Sequence, residues 1–219
     1  MKYLIRLMVF VMVLSLSGIW KPDVALSQID TRCYPVSQRQ SEIGCYVLAY
    51  PRVRELPKGP LFWHLNTFSS RSAAEAVATS TSTVVESQGK VWLFTVAPEA
   101  WRAPRGQHVA QMGPLPIPSA EEYGFMFMEA VFPPGVKMMT HKHPGPEASY
   151  VLAGERCIET PTGVTRTRAG EGSVLPGDVT MSLRTTGSEM SRALVLILHD
   201  GTQPPASMVE DWKPSGLCQ

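Results

Sequence analysis

From residue 123 onward, short runs of apolar and alternating residues are cut by turn residues every 8 to 12 positions or so, the spacing of a sheet protein rather than a helical one. Residues 123–132 read as a strand, Pro133-Pro134-Gly135 as a turn, and 136–143 as a second strand. Residues 150–152 lead into the turn Ala153-Gly154-Glu155, and 156–160 and 164–168 flank the turn Pro161-Thr162-Gly163. Residues 173–175 and 180–183 follow, then a loop at 185–188, and the series closes on the apolar run 193–198. Eight or so short strands predict a mainly β body.

The first half carries a different pattern. Residues 45–50 and 61–68 are apolar and aromatic enough for strands, and Ser69-Ser70 offers an N-cap to an alanine-rich helix over 71–78. Residues 83–86 and 90–96 flank Ser87-Gln88-Gly89, which reads as a hairpin turn. Together these predict a smaller α+β region over 28–118, closed by the proline-rich connector Gly113-Pro114-Leu115-Pro116-Ile117-Pro118. The β body then occupies 119–203, and a tail, 204–219, packs back on it through Trp212 and Cys218. His64, set among apolar neighbours, reads as a hydrogen-bonded structural residue, and His108 as a solvated loop residue.

Composition adds a compartment. Lys2 and Arg6, an apolar core over 7–20 and the small-x-small site Ala25-Leu26-Ser27 make residues 1–27 a signal peptide, whose core is too short to span a bilayer. The mature chain is expected to be periplasmic or secreted and to keep no stable membrane span. Removing Lys2, Arg6, Lys21 and Asp23 leaves 17 basic and 18 acidic side chains, a formal charge of −1, which gives no reason to expect a nucleic-acid partner. All four cysteines lie beyond the signal, and an even number in an exported chain favours two disulfides. Three connectivities are open; Cys33–Cys45 with Cys157–Cys218 is the preferred one.

The chemistry is concentrated in Gly135-Val136-Lys137-Met138-Met139-Thr140-His141-Lys142-His143-Pro144-Gly145-Pro146-Glu147. Two residues apart on a strand, His141 and His143 project to one face. Pro144-Gly145-Pro146 forces a reversal, and a returning strand brings Glu147 back beside them. Two imidazoles and a carboxylate suit a divalent transition metal.

The spacing Gly-x5-His-x-His-x3-Glu-x6-Gly, filled by Gly135, His141, His143, Glu147 and Gly154, resembles the first conserved motif of the cupins. That resemblance implies a double-stranded β-helix, or jelly roll, with a metal held by His141, His143 and Glu147. The family's second motif is matched only in part. Counting from Gly170, Pro176 is in place, Asp178 replaces a glycine, and Met181 stands where the fourth ligand, a histidine, is expected. Water, the Met181 thioether or His199 could complete the shell. A thioether would favour copper, and Met139 shares strand parity with His141 and His143. Core packing is the more economical reading of Met181, and a hydrogen-bonded strand end that of His199.

Iron, manganese, nickel, zinc and copper all remain open as the metal. Two functions are compatible with the pattern: an exported metal-binding cupin that takes a small molecule, or a non-catalytic binding or structural module with a degenerate site. A roomy polar cavity at the histidines would favour the first; one filled by Met139, Met181 and aromatic rings would favour the second. The resemblance also implies a homodimer through sheet edges.

Overall fold

The computed structural model describes residues 29–219; the signal peptide read over 1–27 lies outside them. The described chain is almost entirely β, with one short helix, α1 (Arg71–Glu75), capped by Ser70, whose hydroxyl accepts from the N–H of Ala73. The helix stops well short of residue 78. Val77 and Ala78 each bond back only three residues, the tightening that ends a helix with no C-cap glycine.

Three layers of sheet stack on one another. The middle layer is a seven-stranded sheet built from β1 (Cys33–Pro35), β2 (Gly44–Ala49), β3 (Arg52–Val53), β8 (Tyr123–Phe132), β10 (Glu147–Ala153), β13 (Gly172–Leu175) and β15 (Ser191–Asp200). Its spine runs β1-β2-β8-β15-β10-β13, and β3 also pairs with β8. One face packs against a four-stranded sheet of β4 (Leu61–Phe68), β5 (Ser82–Ser87), β6 (Lys90–Pro98) and β7 (Gln107–Met112), in the order β5-β6-β4-β7. The other face closes on β11 (Glu155–Thr160), β12 (Gly163–Arg168) and β14 (Ser182–Thr186), in the order β12-β11-β14.

Burial on both faces explains the unbroken apolar run near the C-terminus. Leu194, Leu196 and Leu198 pack with Phe125, Phe127, Trp63 and Phe94 in the core toward the four-stranded sheet. Val195 and Ile197 point the other way, to Met128, Ala130 and Phe132 inside the barrel. β8 follows the same rule, with Tyr123, Phe125 and Phe127 on one face and Met126, Met128 and Phe132 on the other.

Four features depart from the sequence pattern. The loop expected at 185–188 begins later, because Thr185 and Thr186 still pair with β11 in β14. His108 sits on strand β7, not in a loop, though its side chain is exposed. The strand expected over 136–143 is regular only at β9 (His141–Lys142), which pairs with β16 (Ser207–Met208) from the tail. The connector at 113–118 does not separate the sheets either, since β1, β2 and β3 from the first half join the barrel's own sheet along β8.

Both disulfides follow the preferred pairing. Cys33–Cys45 lies across the β1–β2 ladder, and Cys157–Cys218 ties the tail to β11. The tail is fixed a second way: the Glu159 carboxylate accepts the backbone N–H groups of Ser215, Gly216 and Leu217.

Candidate metal centre

β9 reaches the barrel through a kinked approach. Lys137 pairs with Arg184 and His141 with Met181, so the histidine strand uses one more residue than its partner between these two pairs. This is a β-bulge, and one extra residue reverses the facing of what lies within it. Met138 packs inward against both apolar clusters of the barrel, while Met139 is 57% exposed. The parity that would have aligned Met139 with the histidines is therefore lost.

Past His143 the Pro144-Gly145-Pro146 turn crosses close over β15. A Cβ on Gly145 would lie 2.0 Å from the carbonyl oxygen of Leu198, so only glycine fits. The motif glycines have a matching reason: Gly135 and Gly154 have φ of 86° and 69°. Asp178, where the second motif expects glycine, also has a positive φ, 60°, a conformation that aspartate tolerates better than most residues.

The turn delivers Glu147 to the histidines. His141, His143 and Glu147 each offer a ligand atom, and these atoms all lie within 4.8 Å of one another. The imidazole rings meet edge to face at 4.9 Å. The Nδ1–H of His141 donates to the Met139 carbonyl at 2.7 Å, and that of His143 to the Pro205 carbonyl at 2.6 Å. With each Nδ1 carrying the hydrogen, each Nε2 presents a lone pair, the orientation that backbone carbonyls impose on metal-ligating histidines. His143 Nε2 faces Glu147 Oε2 at 3.2 Å. Two lone pairs this close need a cation between them, either a proton or a metal ion, so the donor set fits the metal that the motif implies.

The electrostatics agree. Burial alone would push Glu147 up, but the His143 hydrogen bond and the charges of His143, Arg156 and His141 hold it down at about 2. Burial pulls His143 down, yet the bond and charge of Glu147, with the Pro205 carbonyl, raise it overall. His141 is lowered, first by burial and then by His143.

The other sequence candidates fall elsewhere. Met181 is 1% exposed; it faces His141 across the ladder but packs against Ile158 and Leu183. His199 is not in the ligand group: its Nδ1–H donates to the Asp200 carbonyl at 2.6 Å, and its Nε2 accepts from the Tyr50 hydroxyl at 2.6 Å. It is a hydrogen-bonded strand end. His64 is fully buried with Nε2 on the carbonyls of Ala97 and Pro98, which bears out its structural reading.

Around the three ligands opens a cavity of about 290 Å³. Its wall is thioether-rich, with Met126, Met128, Met138, Met139 and Met208 beside Ile197, Pro205 and the Cys33–Cys45 disulfide. The cavity is roomy but apolar, with neither the polar wall of one expectation nor the aromatic plug of the other. Met126 and Met128 could have been found from the sequence, since they alternate with Phe125 and Phe127 and so take the opposite face. Pro205 could not, because nothing local ties it to His143.

The large sheet contains β8-β15-β10-β13 in that order, and β9-β14-β11-β12 lie opposite it, the two interleaved sheets of a double-stranded β-helix around a complete His-x-His-x3-Glu motif. The barrel has the double-stranded β-helix fold. No protein-family model matches the chain, and no curated protein does. Among solved structures 218 chains are similar. A cupin-like protein from Thermotoga maritima is 19% identical over 39% of this chain and 64% of its own, with a TM-score of 0.36. A double-stranded β-helix protein from Klebsiella pneumoniae is 18% identical over 46% of this chain and 80% of its own, TM-score 0.34. The DMSP lyase DddQ from Ruegeria pomeroyi is 22% identical over 42% of this chain and 45% of its own, TM-score 0.35. The likeness is one of fold, and the chain spans less than two thirds of the length of the first and third of these relatives.

Proposed function

We propose that this cupin binds one divalent transition metal through Nε2 of His141, Nε2 of His143 and the carboxylate of Glu147, and that the metal serves a small molecule entering through the methionine-lined mouth. The observation that carries this reading is the pair of Nδ1–H bonds to backbone carbonyls, which turns both Nε2 lone pairs toward Glu147. Three protein ligands leave coordination positions open, as in sites that admit a ligand rather than closed structural ones. When bound, such a metal supplies a Lewis acid or a site for oxygen, depending on its identity. Export is supported by two disulfides, bonds that persist in oxidising compartments.

A second reading is favoured by Met181, which fills the fourth-ligand place with an apolar side chain packed in its own cluster. In that reading the site is a weakened pocket in a binding module. Metal analysis of the mature protein, purified without a metal-binding tag, separates the two. About one equivalent of iron, manganese, nickel, zinc or copper, lost in the His141→Ala/His143→Ala variant, establishes the centre. No uptake of any of these ions after reconstitution leaves the second reading standing.

A further inference from the structure

Two methionines at the mouth of the cavity have no place in the core. Of the eight methionines beyond residue 28, five line this one cavity. Met126, Met128 and Met138 pack into an apolar cluster of the barrel, the ordinary use of a flexible side chain. Met139 and Met208 belong to none of the apolar clusters and are 57% and 55% exposed. A large apolar side chain left more than half in water forgoes much of the stabilisation that burial provides, so packing does not account for this pair.

Both flank His141. Met208 is its direct cross-strand partner in the β16–β9 ladder, and such partners share one face of the sheet with their Cβ atoms about 5 Å apart. The Val209 N–H on the Thr140 carbonyl keeps the two segments together. Met139 lies two residues before His141, and its carbonyl accepts the His141 Nδ1–H at 2.7 Å, which leaves the Nε2 lone pair free. All three side chains line the same cavity, and at about 290 Å³ it is small enough for a flexible thioether arm to bring its sulfur to the imidazole. The inner partners of His141 are an imidazole and a carboxylate, borderline and hard donors. The outer ones are soft, and thioethers select Cu(I). No free cysteine among the described residues offers a thiolate to compete for such an ion.

We propose that Met139, Met208 and His141 form a second, soft-metal site at the cavity mouth, and that it takes monovalent copper. It rests on the metal centre argued above for one thing, the Nε2 lone pair of His141, which the two sites share. Occupancy is therefore exclusive: His141 serves either the soft ion with Met139 and Met208 or the divalent ion with His143 and Glu147. Charge separates the two in the same sense. Neutral thioethers and imidazole leave a single positive charge at an exposed rim, which water tolerates, whereas a divalent ion deeper in the barrel needs the Glu147 carboxylate.

The test titrates the mature protein with Cu(I), without oxygen and with ascorbate present, against the chelator bathocuproine disulfonate, and reads the copper ligands by X-ray absorption. The wild-type protein binds one Cu(I) with a sulfur shell. Met139→Leu/Met208→Leu, an apolar exchange of similar volume, loses at least tenfold in Cu(I) affinity and loses that shell, yet still takes one equivalent of Zn(II). Glu147→Gln does the reverse, giving up Zn(II) while keeping Cu(I) and its sulfur shell. Preloading the wild-type protein with Zn(II) weakens Cu(I) binding at least tenfold. A Cu(I) shell free of sulfur, or unchanged Cu(I) affinity in the leucine variant, overturns the proposal. So do equal losses of Cu(I) and Zn(II) in that variant, which would make the methionines supports for His141 rather than ligands. Wild-type protein that takes Cu(I) with its sulfur shell but no divalent ion instead sinks the inner centre and leaves the mouth site standing.

Discussion

The Nδ1–H of His143 donates to the carbonyl oxygen of Pro205 at 2.6 Å, across 62 residues of chain. That carbonyl belongs to the stretch leading into β16, which pairs with the histidine strand at Ser207–Lys142 and Met208–His141 and is pinned by the Val209 N–H on the Thr140 carbonyl. The tail therefore sets the orientation of a ligand whose own strand is too short to do so.

Val209→Pro deletes the pinning N–H at the end of this ladder. Loss of one such bond costs about 1 kcal/mol of stability, whereas loosening the partner of a ligating histidine costs about 10- to 100-fold in metal affinity. Chelator competition on the variant is expected to show that drop while the thermal midpoint moves only a few degrees. An unchanged affinity would mean that the tail covers the site without orienting it.

The two disulfides should differ in weight. Cys157–Cys218 closes a 61-residue span and Cys33–Cys45 one of 12. Chain entropy assigns about 4 kcal/mol to the first and about 3 kcal/mol to the second. Denaturant unfolding of Cys157→Ser/Cys218→Ser is expected to show the larger loss, accompanied by weaker metal binding, since the freed tail carries the Pro205 carbonyl. Glu159, which still caps residues 215–217, should limit the damage to metal binding.

Gly145→Ala tests the turn that returns Glu147. The added methyl would sit 2.0 Å from the Leu198 carbonyl, backbone that is itself bonded to Pro146. Neither side can yield without shifting β10 against β15. A loss of about 3 kcal/mol, the upper range for overpacked sites, is expected, together with substoichiometric metal because Glu147 moves with the turn. A fully loaded, equally stable variant would show that the turn is softer than its close contacts imply.

Much of this was legible in the chain. His141, His143 and Glu147 were recognisable because their positioning is local, two strands and one turn, so spacing alone brings them together. Two-sided burial was visible in Leu194 to Leu198, although the layer responsible for it was not. What escaped reading depends on long-range pairing or on register. The bulge that turns Met139 outward leaves no mark in the alternation of its neighbours, and Pro205 reaches His143 only through tertiary contact. Arg156 was readable in principle as a charge at an inward strand position beside Ile158, but without knowing what faces it such a residue looks like a solvated strand edge.

The His143–Glu147 pair predicts opposite pH responses for the metal-free and metal-loaded protein. In the metal-free form the Glu147 carboxyl is lowered to about 2 from its ordinary 4.5, so its contribution to stability is present above 4.5 and fades as the pH falls toward 2. His143 is raised above the ordinary 6.5 of an imidazole, so its contribution is present below 6.5 and is lost as the pH climbs through the raised value. The metal-free protein should accordingly be most stable between about 4.5 and 6.5 with respect to this pair. Metal binding reverses the upper limb, because the ion displaces the proton that bridges His143 and Glu147, and affinity rises with pH until His143 is neutral. Thermal midpoints measured across pH 4 to 9, with and without one equivalent of metal, should show the stabilisation by metal growing as the pH rises. Calorimetry in buffers of different ionisation enthalpy should register up to one proton released per ion near neutral pH. A stabilisation that does not vary with pH would place the ion somewhere other than between His143 and Glu147.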